Sequence, residues 1–230
     1  MPANTQNLFD LGEEYASMLT QGIRLSGEDQ QFFIRGRLRY MAENLDKRQP
    51  RRILDFGCGI GVATAVISEI YPGAKVLGIN TAAQAIAYAN RHYENATVHF
   101  QTLDRFEPDG SFDLCYCNGV FHHIPPADRR NAATLIYRAL TQGGRLALFE
   151  NNPLNPGTRA VMSRIPFDRE AVLLQFWEAR RLLKGAGFDV VLPARFLFYF
   201  PRVLAALRFT ERLLVRLPLG AQYCVTGIKG

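Results

Sequence analysis

The stretch ILDFGCGIGVATAV, Ile53 to Val66, sets Gly57, Gly59 and Gly61 within five residues, between an apolar run and an alanine-rich run. Glycine is used where the backbone takes angles closed to other residues or where something must approach it closely. The stretch therefore calls for a strand before it, a helix after it and a tight turn between, with or without a ligand against the turn. The dinucleotide fingerprint needs its third glycine one position later, where this chain has Val62. That displacement argues against NAD or FAD.

From Arg51 onward short apolar runs alternate with helical stretches. The runs are RRILDF, KVLGIN, TVHFQ, FDLCYCN, GRLALFE, FDVVLP and QYCVTGIK, and the helical stretches fall at 61–71, 82–94, 126–140 and 171–185. Such alternation predicts an α/β fold, a doubly wound and mostly parallel sheet with helices on both faces. Gly143-Gly144 and Gly185-Ala186-Gly187 sit where helix C-caps belong. Ahead of this region, 8–20 and 28–46 carry helical spacing, the second with Phe32, Phe33, Leu38, Met41 and Leu45 on one side. Segments 151–170 and 193–218 break the rhythm, and irregular insertions of this kind carry substrate contacts.

A chain of 230 residues with a net charge of +6 is the size of one domain with a substantial core. The charge is uneven: five arginines lie between Arg195 and Arg216 against the single acid Glu211. Cys58, Cys115, Cys117 and Cys224 have neither CxxC nor Cys/His zinc spacing, so no metal is expected. The opening MPANTQNLFDLGEE has no basic and no apolar leader region, which predicts reduced thiols in a cytoplasmic setting. No uncharged run approaches the roughly 20 residues of a membrane span.

ILDFGCGIG resembles motif I of the class I S-adenosylmethionine-dependent methyltransferases: an apolar strand, an acid, then GxGxG. Further segments are similar to that family in order and spacing. VLGIN matches its second strand, VHFQTLDRF its third strand and loop, and FDLCYCNGVFHHIPPADR its fourth. LTQGGRLALFE matches the LxPGGxL stretch before the fifth, with Gln142 in place of proline, and LGAQYCVTGIK its reversed last strand. The resemblance implies a Rossmann-like seven-stranded sheet, parallel except for the last strand. It also implies an organisation within one domain, 1–230: an N-terminal helical cap at 1–48, a cofactor-binding core at 51–192, insertions near the acceptor at 151–170 and 193–218, and the last strand at 221–229.

By the same resemblance S-adenosyl-L-methionine meets Tyr15 in the entry helix, Asp55, Gly57, Cys58 and Gly59 at the turn, and Asn80 and Thr81 after the second strand. Asp104 and Arg105 are assigned to the adenine, and Asn118 and Gly119 to the cleft after the fourth strand. Asn80 departs from the family, which normally has an acid on the ribose hydroxyls. An amide oxygen accepts without charge assistance, which weakens binding by about 1 kcal/mol. Asp55 also reads as a carboxylate accepting N–H groups of its own turn, and Gly61 as a helix–strand packing glycine.

Two residues are candidate bases should the acceptor be a hydroxyl. His123, preferred over its neighbour His122, is one, since a histidine near its unperturbed pKa of about 6.5 takes a proton from a hydroxyl as the methyl arrives. Glu150, at the end of the fifth strand, is the other, or else a partner for an arginine. In PRVLAALRFTERLLVRL, Pro201 to Leu217, a helix would gather Arg202, Arg208, Arg212 and Arg216 in one arc of about 120°. Three readings stand: a solvated face, a wall of the acceptor pocket, or a peripheral membrane contact through 195–217.

The expected activity is methyl transfer to a small-molecule, glycan or lipid-linked acceptor, by in-line displacement at the sulfonium methyl. The alternatives are RNA methylation, against which stands the lack of any RNA-binding appendage, and a non-catalytic module that binds the same cofactor.

Overall fold

The computed structural model describes residues 27–44, 49–165, 168 and 171–230. Tyr15, the helix expected over 8–20 and the larger part of the expected cap lie outside those residues.

The chain opens with α1 (Gln30–Asn44), then alternates β1 (Arg52–Phe56), α2 (Val62–Ile70), β2 (Lys75–Asn80), α3 (Ala83–Tyr93) and β3 (Val98–Thr102). It continues with β4 (Phe112–Asn118), α4 (Arg129–Ala139), β5 (Leu140–Asn151), α5 (Pro156–Met162) and α6 (Phe176–Gly185). Two short strands follow, β6 (Val190–Val191) and β7 (Arg195–Leu197), then a 3₁₀ segment (Arg202–Thr210), α7 (Glu211–Leu214) and β8 (Gln222–Ile228). The sheet runs β3-β2-β1-β4-β5-β8-β6, with β7 also on β8. Its first five strands are parallel and β8 is antiparallel to β5.

Successive strand residues face opposite sides, which sorts the core into two layers. Ile53, Leu114, Tyr116, Ala147 and Phe149 pack with Leu38 and Met41 of α1 and Val66 and Ile67 of α2. Leu54, Phe56, Cys115, Cys117, Leu146 and Leu148 pack with Ile136 of α4 and Leu183 of α6. Each fully buried Leu, Ile, Val, Phe or Met among them contributes about 1.5–3 kcal/mol. By the same alternation Asp55 faces the α1/α2 side, a carboxylate within the apolar layer. From β1 the chain crosses to β2 on one side and later to β4 on the other, so the carboxyl ends of β1 and β4 form the topological switch, where ligands of such sheets bind.

Three expectations change. Gly143 and Gly144 are not a helix cap. They lie within β5, where Gly143 has φ +76° and donates its N–H to Lys229 O at 2.7 Å. A Cβ on Gly144 would stand 2.8 Å from Thr141 O, so the pair is bare to pass an irregular strand start. The cap signal does hold at the end of α6. There Gly187 has φ +107°, its N–H bonds to Lys184 O, and that of Phe188 bonds to Leu183 O, a complete Schellman arrangement.

The strand expected over FDVVLP pairs with β8 only at Val190–Val191. Pro193 has no N–H for the ladder, and pairing resumes at Arg195–Leu197 against Cys224–Gln222. The edge strand is thus interrupted rather than absent, and the expected seven strands become eight.

The single helix expected over 201–217 is instead a 3₁₀ segment, non-helical at Leu204, followed by one α-turn. Arg208 leaves the expected arc to bond Phe200 O and Glu28, with its guanidinium 4.5 Å from the Phe32 ring centre. Arg212 pairs with Glu43 at 3.3 Å. Tertiary partners override the helical spacing.

Candidate active site

The turn after β1 is built on left-handed backbone, with Gly57 at φ +79°, Gly59 at +55° and Gly61 at +87°. The N–H groups of Gly57 and Cys58 both donate to Ile79 O, at 2.8 and 3.0 Å, which ties the turn to the end of β2. A Cβ on Gly57 would lie 2.3 Å from Val120 Cγ2, so the space beside it belongs to the loop after β4 rather than to a ligand. A Cβ on Gly61 would lie 2.9 Å from Ala89 Cβ and from the Phe100 ring. Gly61 therefore lets α2 and α3 close on the sheet. Gly61 also precedes α2 without any side-chain cap.

A cleft over this turn is lined by Arg37, Asp55, Gly57, Cys58, Gly59, Val62, Tyr116 and Asn118 among others. Asp55 is buried and accepts the Thr64 hydroxyl at 2.6 Å. Burial pushes its carboxyl up to about 7, and the Thr64 bond and the Arg37 charge offset only part of that rise. Asn118 Oδ1 is buried with no hydrogen-bond partner among the described residues. Leaving such an acceptor unpaired costs about 1–3 kcal/mol. A half-ionised carboxylate and an orphan acceptor in one cleft call for a ligand that brings N–H donors and positive charge.

Arg37 supplies the opposite sign. It is buried, donates from Nε to the Tyr116 hydroxyl at 2.9 Å and from Nη1 to Gln222 Oε1 at 3.0 Å. Sequence reasoning missed this residue. The available signal was a charge inside the apolar stripe Ile34-Leu38-Met41, one turn past Ile34.

A second cleft, lined by Thr81, Ile86, Phe100, Thr102, Asp104 and Arg105 among others, holds the remaining expected contacts. The Thr102 side chain hydrogen-bonds Asp104 and keeps its exposed carboxyl below the ordinary carboxylate value. Asn80 Oδ1 accepts the Thr81 N–H at 2.9 Å, so one of its lone pairs is spent on the local turn. Gly119, at φ +66°, donates its N–H to Phe149 O.

Beyond Gly119, Glu150 organises the loop. Its Oε1 accepts the N–H groups of Val120 and Phe121, at 3.0 and 2.7 Å, and its Oε2 meets His122 Nδ1 at 2.6 Å. The carboxylate is buried and fully engaged, with His122 rather than an arginine as its partner. Its geometry is that of a positioning group. Burial opposes a charge on His122, yet Glu150 and Asp168 outweigh it and push the imidazole up to about 10. His123, beside it with ring centres 4.0 Å apart, is lowered to about 4 by burial and then by the His122 charge. His123 is therefore neutral near pH 7. Asp168, also missed from sequence, stands 3.4 Å from Nε2 of each histidine.

Residues 53–144 match the family described as "Methyltransferase domain". The chain is 26% identical over 161 residues to trans-aconitate 2-methyltransferase of Afipia carboxidovorans, covering 70% of this chain and 59% of that protein. It is 34% identical over 128 residues to demethylmenaquinone methyltransferase of Thermus thermophilus, covering 54% and 57%. The chain thus spans less than two thirds of these curated relatives. Among solved structures, Haemonchus contortus phosphoethanolamine N-methyltransferase 2 in complex with S-adenosyl-L-methionine superposes with a TM-score of 0.67 at 16% identity, covering 99% of this chain and 60% of that one. At that identity the likeness is one of fold.

Because the folded pKa of Asp55 is raised, its charge penalises the ligand-free protein. The penalty is absent below the ordinary carboxylate pKa and complete above about 7. Asp55→Asn should then stabilise the ligand-free protein at pH 8 by about 2–4 kcal/mol and progressively less toward pH 5. Denaturant unfolding at both pH values measures this, and a pH-independent difference contradicts the assignment.

Proposed function

We propose that this chain, whose residues 53–144 match the methyltransferase-domain family, is a class I S-adenosylmethionine-dependent methyltransferase acting on a small-molecule acceptor. The observation that carries the reading is the pairing of buried Asp55 with the orphan Asn118 Oδ1 over the glycine turn. An α-ammonium group would satisfy both. Arg37 in the same cleft suits the adjacent carboxylate, and Asp104 and Arg105 in the second cleft suit an adenine. The names of the relatives, which specify trans-aconitate and demethylmenaquinone, favour a small acceptor over RNA and over a non-catalytic module.

S-adenosyl-L-methionine, when bound, supplies an activated methyl group on a sulfonium. The chain's own contribution is alignment and the exclusion of water. Val120, locked against Gly57, holds the loop after β4 at the turn, and Glu150 fixes that loop through two backbone N–H groups. His123 is uncharged near neutrality but, lowered to about 4, is a weak proton acceptor for an acceptor hydroxyl, while Glu150 acts through His122. The segment 151–170 would border the acceptor, because Asp168 within it reaches the histidine pair. The segment 193–218 would close the other side, because Tyr199 raises the charge preference of Arg37 and packs on Phe33.

Binding of S-adenosylhomocysteine, measured by calorimetry, tests the cofactor site. The ammonium needs Asp55 ionised, so affinity should fall about tenfold per pH unit once pH drops below about 7. Asp55→Asn and Asn118→Ala should each weaken binding about 10- to 100-fold, as expected for a lost charged or buried hydrogen bond. A pH-independent, unweakened affinity in both variants would remove the proposal.

A lipid-linked acceptor gains support from one observation. Val203, Phe209 and Leu213 are 89%, 74% and 78% exposed, on a segment that also carries Arg202, Arg212 and Arg216. Apolar bulk beside basic charge suits an anionic membrane surface. No helix of the described residues is long and apolar enough to cross a membrane. Flotation with anionic vesicles should carry the protein, and Phe209→Ser with Leu213→Ser should abolish it; a protein left at the bottom of the gradient excludes this reading.

A further inference from the structure

We propose that His122, His123 and Asp168 form a binding site for a divalent transition-metal ion. One donor atom from each lies within 4.8 Å of the others. Asp168 Oδ1 is 3.4 Å from His122 Nε2 and 3.4 Å from His123 Nε2. Donors on an ion at about 2.1 Å with tetrahedral angles stand about 3.4 Å apart. Both separations match that edge.

A second observation points to a ligand. Asp168 is only 8% exposed, and its Oδ1 has no hydrogen-bond partner among the described residues. Were the cluster simply an imidazolium held by a carboxylate, this oxygen would approach one nitrogen to about 2.8 Å. It instead sits equally far from two nitrogens, beyond ordinary hydrogen-bond length. An oxygen so placed is satisfied by an ion between the three donors.

The surroundings fit as well. Metal-bound histidines commonly pass their other ring N–H to a carboxylate, which fixes the tautomer. His122 Nδ1 does so to Glu150 Oε2 at 2.6 Å, so the ion would take the Nε2 position by displacing the proton that the ligand-free imidazole carries there. Glu150 is itself held by the Val120 and Phe121 N–H groups, so the imidazole is anchored to β5. Two imidazole nitrogens and one carboxylate select zinc, iron or manganese rather than magnesium or calcium, which prefer all-oxygen sets. Three protein donors leave at least one position for water or an oxygen of another molecule. His123 is half-buried, which gives the ion a way in.

The site lies three residues past Gly119, at the carboxyl ends of β4 and β5. There a bound ion would act as a Lewis acid on an acceptor oxygen and lower the pKa of its hydroxyl. A lone pair given to an ion is not available to a proton, so in the loaded protein that task passes from His123 to the metal. This use of the ion rests on the methyltransferase reading; binding of the ion does not.

The test is therefore direct binding. Protein stripped with a chelator is titrated with Zn²⁺ by calorimetry and with Co²⁺ by visible absorption. One ion per chain and the visible bands of four-coordinate cobalt are expected. Asp168→Ala and His123→Ala, each checked for folding by thermal unfolding, should lower Zn²⁺ affinity by at least about 100-fold and remove the cobalt bands. Asp168→Asn, which keeps the side-chain size, serves where alanine fails to fold. His99→Ala, which alters the exposed His99–Glu94 pair, should leave both signals unchanged. Failure of the wild type to bind saturably, or full binding by the Asp168 and His123 variants, overturns the site.

Discussion

The structure turns on a buried carboxylate at the carboxyl end of the first strand. Asp55 interrupts an apolar layer, and its burial is expensive: the side chain is held half-ionised near neutrality despite the Thr64 hydroxyl and the nearby Arg37 charge. A fold built for stability alone would place an aliphatic side chain there, as the neighbouring positions Ile53, Leu54 and Phe56 do. The carboxylate lines the cleft together with Gly57 and Gly59 of the turn directly after it. The unpaired Asn118 oxygen from the next strand in the sheet compounds the imbalance. A ligand bearing N–H donors and positive charge would relieve this imbalance, and the topological switch is where such sheets offer one space.

A second carboxylate does the opposite work. Glu150 is as buried as Asp55, yet every contact it makes is internal: two backbone N–H groups and one imidazole. It fixes the loop after β4 against the glycine turn through Val120, and it orients the histidine pair from behind. The two acids sit on different strands and serve different ends. Asp55 accepts one hydroxyl and lines the cleft, whereas Glu150 accepts from three internal donors. That contrast is what separates a binding group from a positioning group, and it is visible only in three dimensions.

The α/β alternation and the glycine turn were legible from sequence because each rests on local rules. An apolar run, a bare turn and an alanine-rich helix can be arranged in few ways, whereas the strand order and the sorting of the core into two layers came with the structure. Errors arose where a local signal has two meanings. The Gly143-Gly144 pair marks left-handed backbone and close approach, conditions met by a helix cap and by an irregular strand alike. Segment 201–217 has helical spacing, but Arg208 is drawn to Glu28, 180 residues earlier, and the helix gives way. Of the site, the residues along the strand ends were expected. Arg37 and Asp168 were not, since their partners lie far along the chain: Gln222 is 185 residues from Arg37, and His122 is 46 residues from Asp168 by subtraction of their numbers.

The proposed cofactor site requires the cleft over residues 57–59 to complete itself around an aminoacyl ammonium and its nucleoside. A crystal structure grown with S-adenosylhomocysteine measures it most directly. The ligand's amino nitrogen should lie about 3 Å from both the Asp55 carboxylate and Asn118 Oδ1, with its adenine beside Asp104. A ligand bound elsewhere, or bound with Asp55 still held only by Thr64 and Asn118 Oδ1 still unpaired, would contradict the account.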